Sequence, residues 1–439
     1  MKGLENRQIP SMEGDEKIRR VLRYRWGVWG MMAMAFMVVF FHRLAPAVVK
    51  EDISRAFSLN ATAFGSLASM YFYAYMAMQI PVGLLADSLG ARATVSWGML
   101  AAGAGSVMFG LAPSPLWLYA GRFLVGIGVS TVFVCIMKVQ SRWFRKEEFA
   151  TVSGLTNIAG NSGGLVAQVP LAIFISMVSW RTGFVVVGAL TAVLALLCFL
   201  VIRNRPGDMG LPSLEKEEDS PHPGTPSVWK GIRDLFATKG LVPAILFYLL
   251  DCAGFNPLLG TWGIPFLANV YGLPVPRAAS FGVMLILGAM AGGIFWGWIS
   301  DRTGSRKRPM VAAAVLHTFL WVLLTMWGGG QPPMEWIRPL FFLLGVTNAS
   351  YVLAWSVAKE LAPGRCTGVA ISVFNAFGFL AIALGTSFMG AGIDAFSFLG
   401  PRAAYRRAFF IGLGSSALSV LFACFVPETG KRKSSGTGA

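Results

Sequence analysis

Apolar stretches long enough to cross a bilayer as helices recur along almost the whole chain, parted by short polar, proline or glycine breaks. About twelve can be marked. Six lie in the first half: Trp26–Val49, Ala63–Ala86, Ala93–Leu111, Leu116–Val139, Ala150–Val178, and a run from Trp180-Arg181 to Ile202. Six lie in the second: one from Leu241, then Ala278–Ile299, Met310–Trp327, Pro339–Glu360, Thr367–Phe388 and Ala404–Val426. The pattern predicts an all-α membrane protein of about 12 transmembrane helices. In the seventh run, Gly254-Phe255-Asn256-Pro257 should disturb the hydrogen-bond ladder, because proline has no N–H to donate.

Three segments break the pattern. Residues 1–20 read as a disordered arm, 203–240 as a charged, proline- and glycine-rich linker, and 428–439 as a basic tail. The spans therefore fall into two sets, 21–202 and 241–427. One motif appears in both. Gly83-Leu84-Leu85-Ala86-Asp87-Ser88-Leu89-Gly90-Ala91-Arg92 and Gly297-Trp298-Ile299-Ser300-Asp301-Arg302-Thr303-Gly304-Ser305-Arg306 both read G-x-x-x-D-x-x-G-x-R. Each is a polar turn between two apolar runs, and the copies lie close to half the chain length apart. A repeat on that scale means two similar halves, the design of secondary transporters.

Composition changes the picture little. With 55% hydrophobic and 13% charged residues in 439, a soluble chain is excluded. The net charge of +16 could suggest nucleic acid. However, lysine and arginine concentrate in the N-terminal arm, the linker, the tail and the alternate loops on their side. That is the positive-inside bias, which places both termini in the cytoplasm and makes nucleic acid an unneeded partner. The five cysteines are scattered through apolar runs and form no metal or disulfide pattern. No signal peptide and no nucleotide-binding loop is recognisable, and no cofactor is implied.

The paired six-helix sets, the linker and the doubled turn resemble the major facilitator superfamily over roughly residues 21–430. The resemblance implies two pseudo-symmetric six-helix bundles that rock about a central site, usually in a monomer. It implies that Asp87, Arg92, Asp301 and Arg306, with Gly83, Gly90, Gly297 and Gly304, form a latch that holds the halves together on the cytoplasmic side. From the residues themselves, Gly83 would allow a neighbouring helix to pack closely, and Gly90 would allow the turn. Arg122, in LYAGRFLVGIG, matches a family motif tied to proton coupling; a buried cation also demands a partner. The fifth span carries Gly160-Asn161-Ser162-Gly163-Gly164, where drug exporters of the family often have G-P-x-x-G-G. That departure, with PVGLLAD and Trp180-Arg181, resembles the organic-anion and amino-acid uptake branches more.

In the family arrangement, spans one, four, seven and ten line the cavity, with parts of five and eleven. Asp251 then becomes the candidate proton carrier, because a carboxyl in mid-membrane is not easily kept charged. Arg43 and Lys138 are candidates to meet an anion. Asn157, Asn161, Gln168, Asn256, Asn348, Tyr351 and Asn375 offer hydrogen bonds, and Trp262 and Trp355 offer walls. The expected function is a carrier in a bacterial inner membrane that takes up a small polar, anionic or zwitterionic solute with protons (or sodium). A proton-driven exporter of drugs or siderophore-like compounds is the alternative. An intramembrane serine protease is the remote one, because Gly160–Gly164 formally contains G-x-S-x-G but sits in a helical run with no histidine expected beside it.

Overall fold

The computed structural model describes residues 12–214, 233, 235–238, 240–362 and 367–430. Among them there is no strand. The first bundle comprises α1 (Met12–Val48), the short α2 (Lys50–Phe57), α3 (Ala61–Ala77), α4 (Gln79–Ser88), α5 (Gly90–Gly110), α6 (Pro115–Trp143), α7 (Lys146–Val166), α8 (Val169–Met177) and α9 (Trp180–Val201). The second comprises α10 (Leu241–Pro257), α11 (Gly263–Tyr271), α12 (Val275–Thr303), α13 (Lys307–Met326), α14 (Met334–Asn348), α15 (Tyr351–Leu361), α16 (Thr367–Ala395) and α17 (Pro401–Phe425).

Among the described residues, ten helical segments are long and apolar enough to cross a membrane, with α7–α8, α10–α11 and α14–α15 each counting as one. The α3–α4 pair and α5 complete a set of twelve. The α3–α4 pair is broken at Met78, and α5 is diluted by glycine and hydroxyl residues, yet both pack against α6 like the other spans. Residues 12–20, which the sequence assigns to a disordered arm, continue α1 instead. Residues 1–11, most of the linker (215–232) and the tail 431–439 lie outside the described residues.

Each break has a local cause. Pro170, in the first turn of α8, has no N–H to continue the ladder of α7, and Gln168 before it leaves helical geometry at φ −91°, ψ −105°. Pro257 ends the α-helical part of span seven, which widens into a π turn over Leu258–Trp262 before α11 resumes. The doubled turn closes the same way in both copies. Gly90 and Gly304 both take the left-handed conformation, at φ +80° and φ +60°.

Within the bundles, helices meet where side chains are absent. A Cβ on Gly126 of α6 would stand 2.5 Å from the Tyr71 carbonyl of α3. At the equivalent crossing, α12 and α14 meet at Gly288 and Gly345. Such close backbone approach is the usual way helices associate in lipid. A prediction follows at Gly288, whose Cβ would strike the Phe342 carbonyl. Gly288→Val should destabilise the bundle by about 3 kcal/mol or more, by overpacking against backbone. Gly293→Ala on the same helix, where a Cβ meets nothing within 4 Å, should leave the unfolding temperature in detergent unchanged. Equal melting of the two variants would refute this account of the crossing.

The outward faces are apolar at helical spacing. Leu190, Val193, Leu196 and Leu200 of α9 are each more than half exposed, a stripe suited to acyl chains.

Candidate functional site

A cavity of about 530 Å³ lies between the two bundles. Its far end is formed by Leu44 of α1 and Leu259 of the π turn. Its near end reaches Ser153 of α7 and Lys359 of α15, close to the face on which both termini emerge. The cavity is thus open toward the terminal face and closed toward the opposite one.

The closure is built from contacts between the bundles. Ser69 of α3 donates to the Ala383 carbonyl of α16 at 2.7 Å and lies 3.0 Å from the Ser387 hydroxyl. Nearer the surface, the Asp394 carboxylate at the end of α16 caps the N-terminus of α3. It accepts from Ala61 N (2.9 Å), Thr62 N (2.7 Å) and Thr62 Oγ1 (2.6 Å). The first N–H groups of a helix have no partner of their own, and a carboxylate there also meets the positive end of the helix dipole. Asn269 of α11 adds a bond to Glu51 of α2 at 3.1 Å.

On the terminal face, the charges of the doubled turn are bonded within their own bundles. Asp87 pairs with Lys138 at 2.6 Å, and Lys138 also donates to the Ala86 carbonyl. Arg92 donates to the Phe199 carbonyl, while its own N–H donates to Asn204. Arg306 bonds Asp301 at 2.9 Å and Glu360 at 3.1 Å. Partial burial works against the Arg306 charge, but the hydrogen bonds and field of Asp301 and Glu360 outweigh it and hold its pKa above the ordinary arginine value. Burial likewise works against the charge of Glu428, beyond the last helix, which for a carboxylate raises the pKa. Bonds from Ser305 and the Arg306 N–H overcome that and leave its pKa below the usual carboxylate range. Gly83 and Gly297 have nothing within 4 Å of a Cβ, so neither is a point of close helix approach in this conformation, contrary to the reading of Gly83 from sequence. The faces that they open are parted here, as the cavity mouth requires.

Of the residues that the sequence assigns to the cavity, Arg43, Asn157, Asn161, Asn256, Asn348, Tyr351, Trp355 and Asn375 line it. Three others lie elsewhere. Lys138 is taken up by Asp87 on the terminal face. Gln168 is fully buried at the α7–α8 break, against Gly282 of α12. Trp262 is fully buried on the closed side, where its indole N–H donates to the Thr386 carbonyl. Each was placed from its span and its residue type, which do not say which way a side chain turns.

The two charges expected in proton movement also stand away from the cavity. Asp251 is buried behind the wall, and Asn348, which does face the cavity, donates to its Oδ2 at 2.8 Å. Arg122 donates to the His42 carbonyl at 2.8 Å and lies over the Tyr71 ring at 4.9 Å, tying α6 to α1 and α3. Arg43 is different. It lies between the rings of Phe40 and Phe379, at 5.0 Å from each, and its Nε has no hydrogen-bond partner. Among the described residues, no carboxylate is within ion-pair distance of it.

Sequence reading missed Phe36, Phe40, Tyr75, Phe133, Tyr248, Phe379 and Lys359 in the lining. The helical spacing of Phe36, Phe40 and Arg43, and of Asn348, Tyr351, Trp355 and Lys359, is the signal that could have found some of them.

The protease reading has no support in the geometry. Ser162 donates to the Ile158 carbonyl of its own helix. His42 and His317 are engaged with Thr191 and with Thr347 and Trp321, respectively, and His222 lies outside the described residues.

Two helical bundles around a central cavity that is open to one face define a membrane transporter. The family model described as the Major Facilitator Superfamily matches residues 28–386, and the chain belongs to that family. Among its relatives is the "Probable galactarate/D-glucarate transporter GudP" of Bacillus subtilis, 22% identical, with 81% of this chain and 83% of that protein covered. Another is the "Probable sulfoacetate transporter SauU" of Cupriavidus necator, 24% identical, with 82% and 85% covered. The fold also resembles the crystal structure of a bacterial homolog to the human lysosomal transporter Spinster, in inward-facing and unoccupied conformation. There the TM-score is 0.75 at 18% identity, with 92% of this chain and 98% of that one covered.

Proposed function

We propose that this transporter is a secondary carrier that takes up a small organic anion together with protons, by alternating access, working as a single chain in a bacterial inner membrane. The observation that carries the reading is Arg43, a cation in the central cavity with no carboxylate among the described residues to neutralise it. A cation in a space of low dielectric and without a counter-ion is a ready partner for an anionic solute. The relatives named above agree, since galactarate, D-glucarate and sulfoacetate are all anions. The cavity is complete within one chain, which supports a monomer. The bias of basic residues supports a cytoplasmic terminal face, so the conformation described is inward-open.

Asp251 is the group that we assign to proton movement. It stands one hydrogen bond behind the cavity wall, through Asn348. A solute that engages Asn348 would release the carboxyl from that bond, and this links solute binding to protonation. No observation favours export.

The test is uptake into proteoliposomes that contain a pH dye, with a panel of organic anions supplied outside. The expected result is acidification driven by one anion class. Asp251→Asn should abolish net proton entry while exchange of labelled solute across the membrane persists. If Asp251→Asn still acidifies the lumen at the wild-type rate, Asp251 does not carry the proton. If only hydrophobic cations move protons, export should replace uptake.

A further inference from the structure

Three arginines, Arg402, Arg406 and Arg407, stand close together at the start of α17, on the face away from the termini. That face is otherwise the one poorer in basic residues, so the cluster runs against the bias that sets orientation. Two of the three are explained by the fold. Arg402 donates to the carbonyls of Gly328 and Gly329, and Arg406 Nε donates to the Thr325 carbonyl at 3.1 Å. Carbonyls at the end of a helix have no partner within it, and the negative end of the dipole favours a cation there. Arg407 is not explained that way. Its guanidinium lies over the Phe396 ring at 4.5 Å, and among the described residues no hydrogen bond or ion pair engages it.

Ala403, Arg406, Arg407 and Phe410 recur at helical spacing and, with Leu399, line a hollow of about 460 Å³ on the outward side of α17. Below the hollow the same helix face continues as an apolar track. Gly414, two turns from Arg407, has nothing within 4 Å of a Cβ. Leu418, Leu421 and Phe425 follow on that face, each half or more exposed. At about 1.5 Å per residue, Leu418 lies roughly 17 Å beneath Arg407, close to the depth of one leaflet of a hydrocarbon core about 30 Å thick. A cation at the head of an exposed apolar track matches a phospholipid in both of its parts. A free phosphate would use the cation and leave the track empty.

We propose that this hollow holds the headgroup of an anionic phospholipid. The phosphodiester lies against the Arg407 guanidinium, with Arg406 as a second positive charge, and one acyl chain runs past Gly414 to Leu418. Arginine suits the task, because its flat fork can give a phosphate two parallel hydrogen bonds. A zwitterionic headgroup is disfavoured, because it brings its own cation close to two others. The site lies outside the central cavity and does not rest on the identity of the solute.

The test uses full-length protein in detergent and native mass spectrometry, with phosphatidylglycerol and phosphatidylcholine of identical chains added in turn. Wild type should bind the first phosphatidylglycerol about tenfold more tightly than phosphatidylcholine. Arg407→Gln should bring that ratio to within about twofold of unity. Arg407→Lys should keep part of the preference, since an ammonium supplies the charge without the fork. Arg277→Gln removes an exposed arginine from the same face, at the start of α12, and should leave the ratio as it is. Arg407 is exposed, so its variants should fold, and the unfolding temperature checks this. Excess inorganic phosphate should not displace the lipid. Equal binding of the two lipids by wild type, or an undiminished ratio in Arg407→Gln, would overturn the proposal. Displacement by phosphate would also overturn it, in favour of a site for free anions.

Discussion

Replacing Arg43 with glutamine is expected to lower the rate of anion uptake at limiting solute by about 10- to 100-fold, while the protein still folds. Hydrogen bonds to a charged group contribute about 1.5–3 kcal/mol, and each 1.4 kcal/mol is tenfold in affinity. The guanidinium stacks between Phe40 and Phe379, contacts that a glutamine amide retains only in part. It has no carboxylate partner among the described residues, so its removal strands no buried opposite charge. Stability should therefore change little, and the unfolding temperature in detergent provides the control. The change should appear as a raised half-saturating concentration. Arg43→Lys should recover only part of the affinity, because an ammonium lacks the flat fork that grips a carboxylate at two points. Wild-type uptake by the glutamine variant would remove Arg43 from the binding site, and the anion assignment with it.

The second large effect is expected at the opposite end of the molecule. Asp394→Ala should shift the carrier toward a state open on the face away from the termini. The carboxylate makes three bonds to the start of α3, and these are the outermost contacts of the α3–α16 seam. Their loss, with the charge–dipole attraction, should cost the closed state about 2–4 kcal/mol, roughly 30- to 1,000-fold in the equilibrium between the two states. Part of that cost returns when water solvates the freed N–H groups, so the lower end is the better expectation. Spin labels at Ser58 and Ser397 would report the distance across the seam. A longer component should appear in the variant, together with faster reaction of a cysteine placed at Ser387 with an impermeant maleimide. An unchanged distance distribution would mean that Ser69, Ala383 and the buried aromatic contacts hold this face shut without the cap. Because α3 and α16 belong to different bundles, destabilisation of either bundle alone would not reproduce the result.

The same geometry explains why the doubled turn is quiet here. Asp87, Arg92, Asp301 and Arg306 are satisfied by Lys138, backbone carbonyls and Glu360, all in their own halves. Gly83 and Gly297 are uncovered, so in the reading proposed above the terminal face would have the groups and the clearance to meet its partner bundle on closure. One face is held by a cap that spans the halves, while the charges of the other are parked locally. In the alternating-access reading proposed above, that contrast would let a rigid-body rotation exchange one set of contacts for another.

Much of the architecture was present in the amino-acid order. Apolar runs of spanning length, the charged break near the middle and the two copies of G-x-x-x-D-x-x-G-x-R are local patterns, and local patterns survive without knowledge of packing. The turn glycines could be read for the same reason, since a left-handed residue in a tight turn is a demand of the backbone itself. Other features depended on which face of a helix meets which neighbour. Lys138 lies far along the chain from Asp87, and only the crossing of α6 with the α4–α5 turn makes it a partner rather than a solute contact. Asp251 carries the same mid-span signature as a cavity residue, but the rotation of α10 turns it behind Asn348. The aromatic lining of the cavity was invisible for a different reason. Aromatic residues make up 13% of the chain and occur throughout its spans, so a ring in the sequence carries no mark of what it faces. In a membrane, a long apolar run marks a segment that can span, because the bilayer tests each helix separately. Which side chains converge on one cavity is decided by helix rotation and close approach, which only the packed bundle sets.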